Sequence, residues 1–358
     1  MNKAPHTWGE KMSQSLRVRL ASLALALIGS ALAVTNPARA GDAIKFKWGY
    51  PTTDYYALYV AMDNNLFSEF GLEPEFYTFA SGAPLLAALK SESLDVVTTG
   101  IATVFALGQN IPLKLIYWEL DHAAAEALVA SPKSGYQTID DVLKSKKIGA
   151  PTGTCAQVSM VLLGEKARIK YSDLGIINIA PPLYANAFSS GAIDAGVAWS
   201  PYSTALQATG NKIIGWATDY TPDGGVCPGL TGVRPKFLEQ HPDFGLRLIE
   251  LKAKAMAMIA QNNQLAIDAL VKHLSITPEV AKAAFDREFS RIPTFAQQVD
   301  PDSPFSLTNK NSGLAKKLLI ASEAFAVGGT IPAPLTKATV EAAIDPSFLQ
   351  RYVKGDRE

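Results

Sequence analysis

The chain has 358 residues, 33 Lys+Arg against 33 Asp+Glu, 48% hydrophobic and 18% charged residues, and only two cysteines. That balance excludes a disordered tail, a collagen-like repeat and a disulfide-stapled miniprotein, and two cysteines do not make a four-cysteine zinc site. Zero net charge, with no Lys/Arg cluster beyond residue 40, excludes the electrostatic footprint of a nucleic-acid binder, and the length suggests two domains or lobes.

Residues 1–40 read as a cleavable secretory signal. Lys11, Arg17 and Arg19 form the basic region, residues 20–34 the apolar stretch, and Ala38-Arg39-Ala40 the small-x-small cleavage pattern. The run is interrupted by Ser22, Gly29 and Ser30 and falls short of the ~20 apolar residues that span a bilayer. No cysteine follows the cleavage site, so the product is expected free in the periplasm and not lipidated. The segment holds five basic residues and one acidic one, which leaves 28 basic and 32 acidic residues in a mildly acidic mature chain.

Past Ala43, strand-like runs alternate with helical windows. Residues 44–49 alternate as a strand, 57–67 have helical spacing, 76–79 form a strand, 83–89 a helix, 95–97 a strand, 104–107 part of a helix, and 113–118 and 126–130 strands. The pattern restarts with strands at 147–150, 176–179, 195–199 and 212–216 around helices at 156–166, 183–189 and 202–208. After a strand at 230–234 the remainder is mostly helical (242–263, 265–274, 278–289, 314–325) and ends in a polar tail. Such alternation predicts an α/β protein with largely parallel sheets in two lobes.

Two strand-to-helix joints carry anion-binding chemistry. In Phe79-Ala80-Ser81-Gly82-Ala83 the serine caps a helix and the glycine lets a ligand reach free N–H groups at its positive end; Pro151-Thr152-Gly153-Thr154-Cys155 repeats the arrangement. Two facing helix starts would make an anion-binding cleft. No catalytic residues are expected: HExxH, GxSxG and Walker A patterns are missing. Glu119, Asp121, His122 and Glu126 form a compact polar cluster whose spacing suits neither a metal site nor any cofactor, and Glu119 and Asp121 are expected in a solvated loop. Cys155 and Cys227, in an exported protein, are expected to form a disulfide.

Taken in order, Trp48-Gly49-Tyr50 with Thr52, the Phe79–Ala83 joint, Glu126-Ala127-Leu128-Val129, residues 147–151, Gly191-Ala192-Ile193-Asp194-Ala195 leading to Trp199-Ser200-Pro201, and Val233-Arg234 before Glu239-Gln240-His241-Pro242 make the chain resemble the periplasmic substrate-binding proteins of ABC importers. The family is the one serving taurine, aliphatic sulfonates, nitrate and thiamine-pyrimidine precursors, and the taurine branch is the most similar. The resemblance implies a bilobed periplasmic-binding-protein fold of type II, with lobe 1 at 41–128 and 229–358, lobe 2 at 129–228, and a hinge between them. It implies a monomer that binds a small molecule, serves an ABC permease and its ATPase, and catalyses nothing; the alternatives are a binder of a different nitrogen or sulfur compound (aliphatic sulfonate, nitrate, pyrimidine) and, on the same fold, a pyrimidine-synthase-like enzyme, whose Cys-rich motif this chain lacks. The implied ligand set is Tyr50, Thr52, Ser81, Gly82, Ala83, Thr152, Thr154 and Cys155 around a sulfonate, Glu126 on an amine and Trp199 as an aromatic wall. Taurine binders carry an acidic residue before the strand that returns to lobe 1. Here Val226-Cys227-Pro228-Gly229-Leu230-Thr231 has none, while Asp54, Tyr55 and Tyr56 make the first loop more acidic and aromatic, so the amine partner stays open.

Overall fold

The computed structural model describes Met1 and residues 43–356; the signal segment expected at 1–40 lies, Met1 aside, outside the described residues. Strand β1 (Ile44–Pro51) begins with Ile44 and Phe46 inward and Lys45 and Lys47 in solvent, then buries both faces from Trp48 onward. The other strands in chain order are β2 (Leu72–Phe79), β3 (Val96–Thr99), β4 (Lys114–Asp121), β5 (Ala127–Ala130), β6 (Ile148–Gly149), β7 (Ile176–Ile177), β8 (Ala195–Ala198), β9 (Lys212–Trp216) and β10 (Pro228–Val233). They form two five-stranded sheets, ordered β2-β1-β3-β10-β4 and β7-β6-β8-β5-β9.

Each sheet contains one reversed strand. In the first, β1 runs parallel to β2 and β3 while β10 is antiparallel to β3 and β4. In the second, β6 runs parallel to β7 and β8 while β5 is antiparallel to β8 and β9. Both reversed strands are the first laid down after the chain crosses between sheets, through residues 122–126 and 217–227. A strand that arrives from the facing sheet enters at the carboxyl ends of its new neighbours and must run against them. Elsewhere the parallel neighbours are joined by helices, as parallel pairing requires.

The helical window expected over 57–67 is two helices, Tyr56–Asp63 and Leu66–Glu69, because Asn65 takes a left-handed conformation (φ 54°) that asparagine tolerates better than most residues. The expected polar tail also folds, into helices Lys337–Ala343 and Ser347–Lys354. Their four charges match a narrow apolar stripe in number, but that stripe (Val340, Ala343, Phe348, Leu349) is buried. Phe348 lies against Gly245 of the long helix Phe244–Gln261, where a Cβ would come within 2.6 Å of the ring. No helix among the described residues is long and apolar enough to cross a membrane.

Glu119 and Asp121, expected in a solvated loop, are instead buried on β4. Their counter-charges come from far along the chain. Lys252 Nζ stands 2.5 Å from Glu119 Oε1 and over the Trp48 and Tyr117 rings at 5.3 and 5.0 Å. Trp48 Nε1 donates to Thr98 Oγ1, Thr98 meets Thr231, and Thr231 donates to Glu119, so the carboxylate closes a chain of donors through the lobe 1 core. Asp121 Oδ2 is met by Arg291 at 2.5 Å and by Lys317 at 3.6 Å. The same two cations reach the carbonyl oxygens of Gly224 and Gly225 on the return crossover.

Candidate functional site

A cavity of about 40 Å³ lies between the two sheets, at the carboxyl ends of their strands, where open α/β sheets hold ligands. Lobe 1 contributes Pro51 at the end of β1 and Thr53 after it, Gly82 after β2, and Thr99, Gly100 and Ile101 at the end of β3. His122 lies just past β4, and lobe 2 adds Thr154 and Cys155 after β6 and Trp199 after β8. Two helices of more than two turns, Gly82–Lys90 and Cys155–Ala167, begin at this point, so unpaired N–H groups and the positive ends of two dipoles meet there. A Cβ on Gly82 would stand 2.5 Å from Ala102 Cβ and 2.8 Å from Thr99 Oγ1; only glycine lets the first helix start this close to the end of β3.

The lobes touch above the cavity. Tyr202 donates its hydroxyl to the Thr52 carbonyl at 2.7 Å and receives the Thr52 hydroxyl at 2.9 Å, and Thr53 Oγ1 lies 2.8 Å from the Ser200 carbonyl oxygen. Arg287 stacks 3.5 Å over Trp216.

Of the residues singled out from sequence, Gly82, Thr154, Cys155 and Trp199 meet at the cavity. Ser81 is buried at the N-cap of the first helix, and Ala83 follows Gly82 in that helix. Thr52 ties the lobes together. Tyr50 packs among Tyr59 and Phe76 in the lobe 1 core, and Thr152 is exposed with its N–H on Asn178; neither lines the cavity. Cys155 and Cys227 form a disulfide with Cα atoms 5.4 Å apart, and both line the cavity. It ties the start of a lobe 2 helix to the return crossover.

Glu126 lies beside that disulfide, a carboxylate oxygen within 4.8 Å of both sulfurs, and is not among the residues that line the cavity. It is buried, accepts from Ser159, and leaves Oε2 without a partner. Burial pushes its carboxyl up to about 7, against the opposing pull of Ser159 and His122. A raised acid pKa means that the folded chain holds this proton more tightly than the unfolded chain. Its stabilising share is therefore present at low pH and is lost as pH rises from the unfolded value toward 7. Glu126→Gln is expected to gain about 1–3 kcal/mol over the parent at pH 8 and nothing at pH 4 in urea denaturation; equal stabilities at both pH values would show that the carboxyl is ionised without cost.

Sequence reasoning missed Thr53, Tyr55, the Thr99–Ile101 segment and His122. The β3 segment was detectable: Thr99-Gly100 at a strand end before a helix repeats the Ser81-Gly82 joint. His122 was not, because its partners are remote. Its Nδ1 lies 3.3 Å from Asp54 Oδ1 and 3.4 Å from Glu288 Oε1, Tyr56 donates to Glu288 at 3.0 Å, and the edge of the Tyr55 ring packs on the imidazole. Burial disfavours a charged histidine, yet Asp54 and Glu288 outweigh it and raise His122 to about 10. Burial also raises Asp54, but hydrogen bonds from Glu288 and His122 bring it down to about 2. Burial and the neighbouring Asp54 charge push Glu288 well up. These directions favour an imidazolium between a carboxylate, Asp54, and a carboxyl group, Glu288, that keeps its proton more readily than a free one. Although the three donor atoms lie within 4.8 Å of one another, the ring nitrogen is occupied in holding a proton between carboxyl groups. The other such cluster, Glu126 with the two cysteines, has its sulfurs bonded to each other.

A family model described as NMT1/THI5 like matches residues 52–266. The chain is similar to a Bacillus subtilis (strain 168) protein named for aliphatic sulfonates binding, 32% identical over 195 residues, which is 53% of this chain and 57% of that protein. It is also similar to the taurine-binding periplasmic protein of Escherichia coli (strain K12), 26% identical over 203 residues, 56% of this chain and 62% of that one. The chain thus spans less than two thirds of the length of these two relatives. Among solved structures it is similar to the alkanesulfonate-binding protein SsuA from Xanthomonas axonopodis pv. citri bound to MOPS. The TM-score is 0.69 at 19% identity, over 86% of this chain and 99% of that one. At that identity the likeness is one of fold: the two-lobed periplasmic-binding-protein architecture.

Proposed function

The chain belongs to the NMT1/THI5 like family, and on that premise we propose that it is the periplasmic solute-binding component of an ABC importer, capturing a small sulfonate such as taurine or an unsubstituted alkanesulfonate between its lobes. The lobe boundaries expected at 128/129 and 228/229 fall inside β5 and β10 and move to the crossovers at 122–126 and 217–227, which keep each strand whole on its own sheet; the mature monomer hands its ligand to a permease and its ATPase and performs no chemistry. One observation carries the reading: two helix starts from different lobes, at Gly82 and Cys155, converge on one cavity at the strand ends. Backbone N–H groups at helix starts bind oxyanions without a dedicated cation. The names of the two curated relatives support the choice of sulfonates.

A thermal-shift screen of the mature chain against taurine, ethanesulfonate, MOPS, nitrate and pyrimidines tests it. A ligand held at 100 times its Kd adds roughly 2.7 kcal/mol of stability. No shift with any of these compounds would overturn the proposal. Gly82→Ala, which forces the first helix start off Thr99 and Ala102, is expected to weaken sulfonate binding roughly ten-fold or more, the cost of about one charge-assisted hydrogen bond. Unchanged affinity would take the Gly82 helix start out of the site.

A further inference from the structure

We infer that His122 is the side chain that reads the ligand's charge, donating from its second ring nitrogen to an oxyanion held between the helix starts at Gly82 and Cys155, and that the site therefore takes a sulfonate with an uncharged tail in preference to an amino-sulfonate. This rests on the sulfonate-binding reading and specifies it. His122 lines the cavity and is 3% exposed. Its Nδ1 is the atom turned to Asp54 and Glu288, which fixes the ring and commits Nε2 to the other side, beside Gly229, where a Cβ would lie 3.0 Å from Nε2. The ring is clamped by three parts of the chain: the loop after β1, the first crossover, and the end of helix Pro278–Glu288. A charge-bearing donor so fixed gives up little entropy when it binds an anion.

The lining supplies positive potential and no carboxylate of its own to balance an ammonium. Among the described residues that line the cavity, none is a carboxylate. Asp54, next to the lining residues Thr53 and Tyr55, gives one oxygen to His122, and Glu126, beside the disulfide, gives one to Ser159; the second oxygen of each is buried outside the lining. Trp199 and Tyr55 offer apolar surface to the rest of the ligand. The elevated pKa of His122, about 10, supports a charged ring across the physiological range. The acidic loop after β1, which at first sight offers an acceptor for an amine, thus serves to hold a cation for the anion.

Calorimetric titration of the mature protein at pH 7.5 with ethanesulfonate and with taurine, which differ by one ammonium on a chain of the same length, tests the inference. The parent is expected to bind ethanesulfonate at least ten-fold more tightly than taurine, and His122→Gln to bind ethanesulfonate about 10- to 100-fold more weakly. Because His122→Gln leaves the buried Asp54 without its cation and is at risk of misfolding, the parent is also measured by ¹⁵N NMR of the histidine rings at pH 8. The His122 signals are expected at imidazolium positions, with Nε2 moving on saturation with ethanesulfonate. A parent that binds neither sulfonate overturns the proposed function itself. A parent that binds ethanesulfonate while His122→Gln binds it within two-fold, or while Nε2 does not move, leaves that function standing and overturns the role of His122. Equal affinity for the two ligands overturns the preference for an uncharged tail.

Discussion

Lys252→Met is expected to lower the unfolding free energy by about 3–5 kcal/mol at pH 7. Lys252 is fully buried on helix Phe244–Gln261 and its ammonium is held by Glu119 and the faces of Trp48 and Tyr117. Burial lowers its pKa and Glu119 opposes the shift, and the two groups stand as an ion pair in a dry core. Removing the cation leaves the Glu119 carboxylate with the Thr231 hydroxyl as its remaining donor among the described residues, and an uncompensated buried charge is what makes such single substitutions expensive. Removing both charges should be far milder, because a buried pair replaced by apolar side chains of similar volume is often neutral. Urea denaturation of Lys252→Met and of Lys252→Met with Glu119→Leu separates the two effects. If the double variant is as unstable as the single one, the loss comes from packing rather than charge. A single-variant loss below 1 kcal/mol would mean that water already reaches Glu119.

Breaking the Cys155–Cys227 disulfide is expected to cost about 4 kcal/mol, the loop-closure value for the 72-residue separation. The bond joins the start of helix Cys155–Ala167 to the return crossover, and that crossover is also gripped through Gly224 and Gly225 by Arg291 and Lys317. A double Cys155→Ala, Cys227→Ala variant, compared with the parent by denaturant midpoint, measures the term. A loss under 1 kcal/mol would show that these cations and Asp121 already restrain the crossover. Because both cysteines line the cavity, the same variant should weaken sulfonate binding, a second readout that general destabilisation alone would not produce when ligand saturation is reached.

The alternation of apolar runs and helical windows made the two-lobed α/β fold legible, since each strand and its return helix lie close together in sequence. Two features escaped for one reason. Helices Lys337–Ala343 and Ser347–Lys354 look polar because their apolar stripe is only a few residues wide, and it becomes a core only when Gly245 opens a seat for Phe348. Glu119 and Asp121 look like loop residues because Lys252, Arg291 and Lys317 stand more than 130 positions away. At the site, Gly82 and Thr154–Cys155 were legible because strand-to-helix joints are local. His122 was not, because its meaning comes from Asp54 and Glu288, which tertiary folding brings to one ring. Glu126 was assigned to an amine by family resemblance; the fold buries it beside the disulfide, with one oxygen on Ser159, and not among the residues that line the cavity.

The contacts of Thr52 and Thr53 with Tyr202 and Ser200 are made by protein groups on both sides. On the proposed function, a ligand would wait for them to break before it enters and again before it leaves. Entry and exit would then be slowed by the same factor, with the ratio of the two rates left where the ligand's own contacts set it. Such bonds would act as a timer, fixing how long each captured molecule is carried, independently of how tightly it is held.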